Sequence, residues 1–132
     1  MIKLSKRNRL VAAAAMALSS VAVIGLGVSG QLHAQLAKAR GARMVIGISR
    51  SAWKRGLAEQ LGVDRTSSTE EAIAFVKTAT GGRGADVVIE STGVVASIAD
   101  AIAMAKPQLI VFATPQFCTS RMCGPVVDIV RT

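Results

Sequence analysis

Aromatic side chains are scarce in this chain, which has one tryptophan, no tyrosine and three phenylalanines among 132 residues. The formal net charge of +8 would suit a nucleic-acid partner. Sequence-independent nucleic-acid binders, however, interleave their basic residues with aromatic rings on which bases stack. We therefore expect no nucleic acid as a partner.

Histidine and cysteine are scarce too. His33 is the single histidine, and its place on a predicted helix favours a surface or sheet-facing role, so Ser29 and Ser91 lack a histidine to activate them. Cys118 and Cys123 form neither a disulfide framework nor a zinc site of three or four ligands, and we expect free thiols. The sequence predicts neither a metal site nor a catalytic nucleophile in this chain.

Charged residues are absent between Arg9 and Lys38, and residues 10–28 are apolar or small apart from two serines. That length approaches a membrane span, so residues 1–34 are read in one interpretation as the targeting segment of a secreted or membrane-tethered protein. Alanine and glycine contribute little transfer free energy, and the stretch divides into a helix-forming part and a β-branched part. We therefore predict a cytoplasmic protein with a basic, apolar leader at 1–20 and no membrane association.

The stretch VAVIGLGVSGQLHAQLAKAR contains the pattern G-x-G-x-x-G, formed by Gly25, Gly27 and Gly30. It lies between a predicted strand, 21–24, and a predicted helix, 31–39. In a dinucleotide site the first glycine permits the tight turn, the second lets the backbone approach a pyrophosphate, and the third brings the helix close to the strand. The helix N-terminus adds unpaired N–H groups and a partial positive charge. The pattern predicts a pyrophosphate site.

The next predicted strand, 44–49, ends with Ser49, 19 residues after the last glycine of the turn. NAD-binding domains place an acidic residue at this distance to hold the ribose hydroxyls. Here Ser49 is followed by Arg50, and a hydroxyl with a guanidinium suits the 2′-phosphate of NADP, which a carboxylate would repel. Lys54 and Arg55 add positive charge one helical turn later. We predict NADP rather than NAD; in the alternative interpretation Ser49 and Arg50 only end a strand at the surface.

Strands and helices alternate along the rest of the chain, which predicts an α/β fold with a single doubly wound parallel sheet in the order 3-2-1-4-5. The remaining predicted helices are 52–61, 69–80 and 96–105, and the remaining predicted strands are 63–66, 85–92 and 109–115. Ligands of such sheets bind at the carboxyl ends of the strands. Four segments are predicted at that edge: Gly25 to Gly30, Ser49-Arg50, Ser91-Thr92-Gly93 and Ala113-Thr114.

Three segments, VAVIGLGVSGQLHAQLAKARGA, SRSAWKRGLAEQLGVD and TGGRGADVVIESTG, resemble the cofactor domain of medium-chain, zinc-type alcohol dehydrogenases of the sorbitol and threonine dehydrogenase branch. The resemblance covers about residues 21–115. It implies that the glycine turn holds the pyrophosphate, that the end of the second strand selects NADP, and that later segments line the path to the nicotinamide. The implied cofactor-binding residues are Gly25, Leu26, Gly27, Val28, Ser29, Gly30, Ser49, Arg50, Lys54, Ser91, Thr92, Ala113 and Thr114.

The sequence departs from that family at both ends. Members carry a zinc-binding domain before the cofactor domain, whereas residues 1–20 contain no Cys, His, Asp or Glu, and the irregular tail 116–132 stops before a sixth strand. The resemblance thus implies an NADP(H)-binding domain that is not catalytic alone, with a separately encoded zinc domain or a second copy of the chain as partner. The alternatives are the exported protein described above and a truncated remnant without function. We interpret Glu90, before Ser91, as a hydrogen-bonded strand carboxylate.

Overall fold

A computed structural model of the chain describes residues 19–106 and the two strand residues 109 and 110. Strands and helices alternate through these residues, as the sequence predicts. Their bounds are β1 (Ser20–Ile24), α1 (Val28–Ala39), β2 (Met44–Ile48), α2 (Ala52–Gln60), β3 (Arg65–Ser67), α3 (Ala72–Ala79), β4 (Val87–Glu90), α4 (Val95–Met104) and β5 (Leu109–Ile110).

The described strands form one parallel sheet in the order β3-β2-β1-β4-β5, which confirms the predicted topology. The first strand of the sheet is central: Val23 pairs with Gly47 on one side and with Ile89 on the other. The chain first moves outward to β3 and then crosses back to β4, so the strand order reverses beside β1. In doubly wound sheets this reversal opens the crevice that binds ligands.

Helices cover both faces of the sheet, and β1 shows how its residues are divided between them. Val21 and Val23 belong to the core under α1 and α2, whereas Ala22 and Ile24 belong to the core under α3 and α4. Successive strand side chains point to opposite faces, so a strand covered on both sides must be apolar throughout. This accounts for the apolar sequence of β1 after its first residue, Ser20, and all five residues of the strand are buried.

Carboxylates hold the amino ends of the strands. Asp86 accepts hydrogen bonds from the N–H of Ser20 at 2.8 Å and from its hydroxyl at 2.9 Å, and Lys106 Nζ lies 3.1 Å from the other carboxylate oxygen. Burial alone would raise the pKa of Asp86, but these bonds outweigh it and lower the pKa from 3.8 to about 2. Asp64 is held in the same way by the Val45 N–H and Lys38, both at 2.7 Å.

Several element boundaries differ from the predicted ones. Helix α1 begins three residues earlier than predicted, at Val28, because Gly27 is already its extended N-cap residue. Strand β4 is shorter than predicted, since the Asp86 side chain bonds to Ser20 before it and the Ser91 side chain bonds to β1 after it. Strand β3 and helix α3 each begin two or three residues later than predicted.

The apolar stretch near the N-terminus enters the described residues as two elements. Residues 20–24 form the central strand and the chain then turns into α1, so the predicted strand is confirmed. The helix-forming part of the stretch lies outside the described residues, and the division of the stretch stays a prediction. Between residues 19 and 106, no helix is both long enough and apolar enough to cross a bilayer. The rest of the predicted leader and the predicted tail 116–132 lie outside the described residues.

Candidate functional site

Three of the four predicted site segments meet at the carboxyl edge of the sheet. The Gly25 N–H donates to the carbonyl of Ile48, the last residue of β2, at 2.9 Å. The Ser91 N–H donates to the carbonyl of Ile24, the last residue of β1, at 3.0 Å. The ends of β1, β2 and β4 are therefore joined by direct backbone hydrogen bonds. The fourth predicted segment, Ala113-Thr114, lies outside the described residues.

Packing requires glycine at the first and third positions of the motif. Gly25 has a φ of +89°, a conformation that other residues rarely adopt, and a Cβ there would lie 2.6 Å from Thr92 Cγ2. A Cβ on Gly30 would lie only 1.7 Å from the Gly25 carbonyl oxygen. The turn can therefore close onto α1 only without these side chains, as the sequence predicts for the tight turn and the close helix.

The middle glycine lies in an open space. A Cβ added to Gly27 would have no neighbouring atom within 4 Å, so packing within the described residues does not explain the glycine there. Gly27 is the N-cap of α1, no side chain caps this end, and the first turn contains no acidic residue. Its unpaired N–H groups face the same opening and suit an anion.

The other residues of the turn have different environments. Val28 and Ser29 are exposed. His33 Nδ1 donates to the Ser29 carbonyl oxygen at 2.7 Å and lies 3.2 Å from the Ser29 hydroxyl, so the expectation that no histidine lies near Ser29 is wrong. This nitrogen carries the proton and does not serve as a base for the hydroxyl. Leu26 is only 2% exposed, and its side chain packs beside Gly47 in the core. Leu26 therefore offers its backbone, and not its side chain, to the opening.

The loop after β4 is tied to the glycine turn. The Ser91 hydroxyl donates to the carbonyl oxygens of Ile24 and Gly25, at 2.9 and 2.7 Å. Glu90 is 8% exposed, and its carboxylate accepts bonds from the N–H groups of Thr92 and Gly93, at 2.7 and 3.0 Å, and from the Thr92 hydroxyl. The interpretation of Glu90 as a hydrogen-bonded carboxylate is confirmed, and its charge is used to fix the loop.

The end of β2 presents one buried hydroxyl and several cations. Ser49 is 8% exposed, and its hydroxyl oxygen accepts the Ser51 N–H at 3.2 Å. Within residues 19–106 its hydroxyl proton has no acceptor, so it can be donated to a ligand. Ser51 is the N-cap of α2 and accepts the Lys54 N–H at 3.4 Å, which sets Lys54 in the first turn of this helix.

Arg50 is exposed and shares its surroundings with an acidic residue. Hydrogen bonds from the Glu70 N–H and from the Thr69 and Ser68 hydroxyls lower the pKa of Glu70, and the charge of Arg50 contributes in the same direction. Glu70 follows β3 and therefore lies at the same edge of the sheet. The guanidinium of Arg50 is thus near a carboxylate as well as near the end of β2.

Sequence reasoning missed a residue of this edge. Arg55 was predicted only to add positive charge, but its Nη1 donates to the carbonyl oxygens of Ser49, at 2.6 Å, and Arg50, at 3.1 Å. The available signal was an arginine four residues after the N-cap serine of the helix that follows β2. One helical turn returns such a side chain toward the strand end.

Gln31 joins the two halves of the site. It lies on α1 directly after the glycine motif, is 7% exposed, and its Nε2 donates to the Lys54 carbonyl on α2 at 3.0 Å. This bond couples the glycine turn to the first turn of α2. Among the described residues, its buried Oε1 has no hydrogen-bond partner.

Zinc has no fitting donor set in the described part of the chain. From residue 19 to residue 106, no three His, Cys, Asp or Glu side chains come close enough together to hold a metal ion.

A parallel sheet with an order reversal, a glycine-rich turn and an uncapped helix N-terminus defines a nucleotide-binding α/β domain. Residues 28–114 match the family described as zinc-binding dehydrogenase. The chain belongs to that family, and membership implies a nicotinamide dinucleotide as cofactor. The resemblance to zinc-type alcohol dehydrogenases, stated from the sequence, is confirmed.

Individual relatives agree with this assignment. The chain is 40% identical over 88 residues to L-threonine 3-dehydrogenase of Bacillus subtilis, a match covering 65% of this chain and 25% of the relative. It is 41% identical over 75 residues to D-guloside 3-dehydrogenase of Escherichia coli, covering 55% of this chain and 21% of the relative. The chain therefore spans about a quarter or less of these relatives.

Solved structures share the fold. Benzyl alcohol dehydrogenase from Acinetobacter calcoaceticus superposes with a TM-score of 0.68 at 26% identity, over 86% of this chain and 32% of that one. Alcohol dehydrogenase TADH from Thermus sp. ATN1 superposes with a TM-score of 0.65 at 28% identity, over 83% of this chain and 34% of that one.

Proposed function

We propose that this chain binds NADP(H) and provides the cofactor-binding part of a zinc-type alcohol dehydrogenase-like oxidoreductase. The observation that carries the proposal is the open space at Gly27, in front of an uncapped helix whose first turn has no acidic residue. A pyrophosphate placed there would accept hydrogen bonds from the free N–H groups of α1, and the positive end of the helix dipole would stabilise its negative charge.

The end of β2 supports NADP over NAD. The Ser49 hydroxyl has a proton to donate, and Arg50 and Lys54 supply positive charge beside it. A 2′-phosphate gains charge-assisted hydrogen bonds from such groups, whereas the ribose diol of NAD is normally held by a carboxylate at this position. Glu90, at the end of β4, is buried, and its carboxylate already accepts the Thr92 and Gly93 N–H groups, so it is not available to the ribose.

The chemistry is proposed to need a second component. When bound, the dinucleotide supplies or accepts the hydride, and a further group must polarise the substrate oxygen. We propose that a separately encoded zinc domain provides that group, and that this chain is not active alone. A second copy of the chain is the alternative partner. The two named relatives act on L-threonine and D-guloside, each at carbon 3, and we propose a small polar alcohol as the substrate.

A cytoplasmic location is the accompanying proposal. Cleavage of a targeting segment after residue 30 or 34 would remove β1, the central strand, together with the glycine turn. An intact N-terminus in the mass of the protein isolated from its own cells is the expected result. Loss of residues 1–34 would support the exported alternative.

Calorimetric titration of the full chain with NADP⁺ and NAD⁺ tests the cofactor assignment. We expect NADP⁺ to bind more tightly, and Ser49→Asp to reverse the order by repelling the 2′-phosphate and offering a carboxylate to the ribose hydroxyls. Arg43→Gln is the matched charge control, because Arg43 is exposed just before β2, at the opposite edge of the sheet. Equal affinities in the wild type, or binding of neither dinucleotide, would overturn the assignment.

A further inference from the structure

The carboxyl end of a parallel strand is by itself a poor place for an anion. Carbonyl oxygens beyond the last ladder residue have no neighbouring strand to pair with, and they carry partial negative charge. A phosphate bound beside the end of β2 would approach the carbonyls of Ser49 and Arg50, which lie beyond its last ladder residue, Ile48. A site for a phosphate monoester therefore requires that these two oxygens be neutralised.

Arg55 provides this neutralisation. Its Nη1 donates to both carbonyl oxygens, at 2.6 Å from Ser49 O and 3.1 Å from Arg50 O. The Arg55 backbone is itself fixed in α2, where its N–H donates to the Ser51 carbonyl at 3.1 Å. A guanidinium has five N–H donors in one plane, so three remain after these two bonds.

Arg55 is also the cation of this edge whose position is fixed. Within residues 19–106, no hydrogen bond holds the charged groups of Arg50 or Lys54. Arg50 is in addition attracted to Glu70. A cation that is already held loses less conformational entropy when a ligand binds, so it contributes more to affinity than a mobile one.

We propose that Arg55 is a specificity-determining residue for the 2′-phosphate. It cancels the carbonyl dipoles at the end of β2 and holds an immobilised positive charge at the backbone of Ser49 and Arg50. This inference rests on the proposed NADP(H) function. Arg55 is not among the predicted cofactor-binding residues, and its proposed role is to neutralise the carbonyl oxygens next to the 2′-phosphate.

The test compares dissociation constants of NADP⁺ and NAD⁺ for the full-length wild type, Arg55→Gln, Arg55→Lys and the matched control Arg43→Gln. Loss of one charge-assisted contact to phosphate is expected to weaken NADP⁺ binding by about tenfold in Arg55→Gln. NAD⁺ binding is expected to change by about twofold or less, since this ligand has no phosphate there. Arg55→Lys keeps the charge and should recover much of the preference, and Arg43→Gln should leave both constants unchanged.

The outcomes separate this proposal from the one beneath it. If the wild type prefers NADP⁺ and Arg55→Gln retains the same ratio of constants, the role of Arg55 is overturned while the cofactor assignment stands. If the wild type shows no preference, the cofactor assignment itself fails. If Arg55→Gln unfolds, Arg55→Met takes its place as the uncharged variant: a lowered ratio of constants supports the proposal, and a folded methionine variant with the wild-type ratio overturns it.

Discussion

The two edges of the sheet solve opposite electrostatic problems. At the amino edge the first N–H groups of the strands are unpaired, and carboxylates accept them: Asp86 that of Ser20, and Asp64 that of Val45. At the carboxyl edge the last carbonyls of β1 and β2 accept backbone N–H groups, and side-chain donors cap the carbonyls at and just beyond these ends. The Ser91 hydroxyl caps the end of β1, and the Arg55 guanidinium caps the residues that follow β2.

The difference explains why only one edge suits a phosphate. At the amino edge the N–H donors of Ser20 and Val45 are already bonded to carboxylates, and the negative charge of these carboxylates repels further anions. The carboxyl edge is capped by a hydroxyl and a guanidinium, and the N–H groups of α1 remain open beside Gly27. The polarity of parallel strands therefore separates the charges that stabilise this fold from those available to a ligand.

The largest expected effect comes from Gly30→Ala, which would break the carboxyl edge. Its Cβ would lie 1.7 Å from the Gly25 carbonyl oxygen, so the turn must move. We expect a loss of about 3 kcal/mol in the free energy of unfolding and no dinucleotide binding. Urea denaturation and calorimetry measure the two effects. Gly27→Ala is the matched control, with an unchanged unfolding midpoint expected; an equally stable Gly30→Ala would contradict the packing assignment.

Asp86→Asn tests the amino edge. Because the folded-state pKa of Asp86 is lowered from 3.8 to about 2, its ionised form stabilises the fold above pH 4. This contribution is lost as the pH falls through the folded value. We expect Asp86→Asn to cost about 2 kcal/mol at pH 7, with the deficit shrinking between pH 4 and pH 2.

Denaturation at several pH values measures this deficit. Asp100→Asn serves as the control, because no described hydrogen bond or ion pair involves Asp100. A deficit independent of pH would show that the Asp86 charge does not stabilise the fold. The NADP⁺ affinity of Asp86→Asn at pH 7 should remain that of the wild type, since Asp86 lies at the opposite edge.

Ser91→Ala removes the cap from the end of β1. The carbonyls of Ile24 and Gly25 would lose their hydroxyl donor, although Ile24 keeps the Ser91 N–H. We expect a loss of about 1 kcal/mol in the free energy of unfolding. Ser91→Thr, which keeps a hydroxyl, is the comparison variant; identical stability of the alanine variant and the wild type would argue against the capping role.

The smallest expected effect is a gain in stability away from both edges. Gly56 lies inside α2, and a Cβ there would have no neighbour within 4 Å. Gly56→Ala should therefore stabilise the fold by about 0.5 kcal/mol, because glycine loses more conformational freedom in a helix. Thermal unfolding measures it. A destabilised variant would show that this glycine has a packing role of its own.

The sequence was sufficient for the topology and for the glycine turn, because both depend on local patterns. Alternating apolar strands and helices allow few arrangements, and G-x-G-x-x-G between a strand and a helix is a specific combination. The predicted roles of Gly25 and Gly30 follow from contacts between neighbouring elements, and the structure shows those contacts.

The sequence was not sufficient for contacts that depend on tertiary orientation. The bonds of Arg55 to two carbonyls require the angle at which α2 leaves β2, and the Gln31 bond requires the spacing between α1 and α2. The early end of β4 has the same origin, since Ser91 bonds to Ile24 of β1, 67 residues away in sequence. Charge alone indicated Arg55 as part of a positive field, and only its geometry separates it from Lys54.

The most direct test of the contrast between the edges is to map NADP⁺ binding on the ¹⁵N-labelled chain by NMR. The account predicts that amide shifts change at Gly27, Ser29 and Arg50, at the carboxyl edge, while the amides of Ser20 and Val45 keep their positions. Changes centred on Ser20 and Val45, or no changes at saturating NADP⁺, would contradict it.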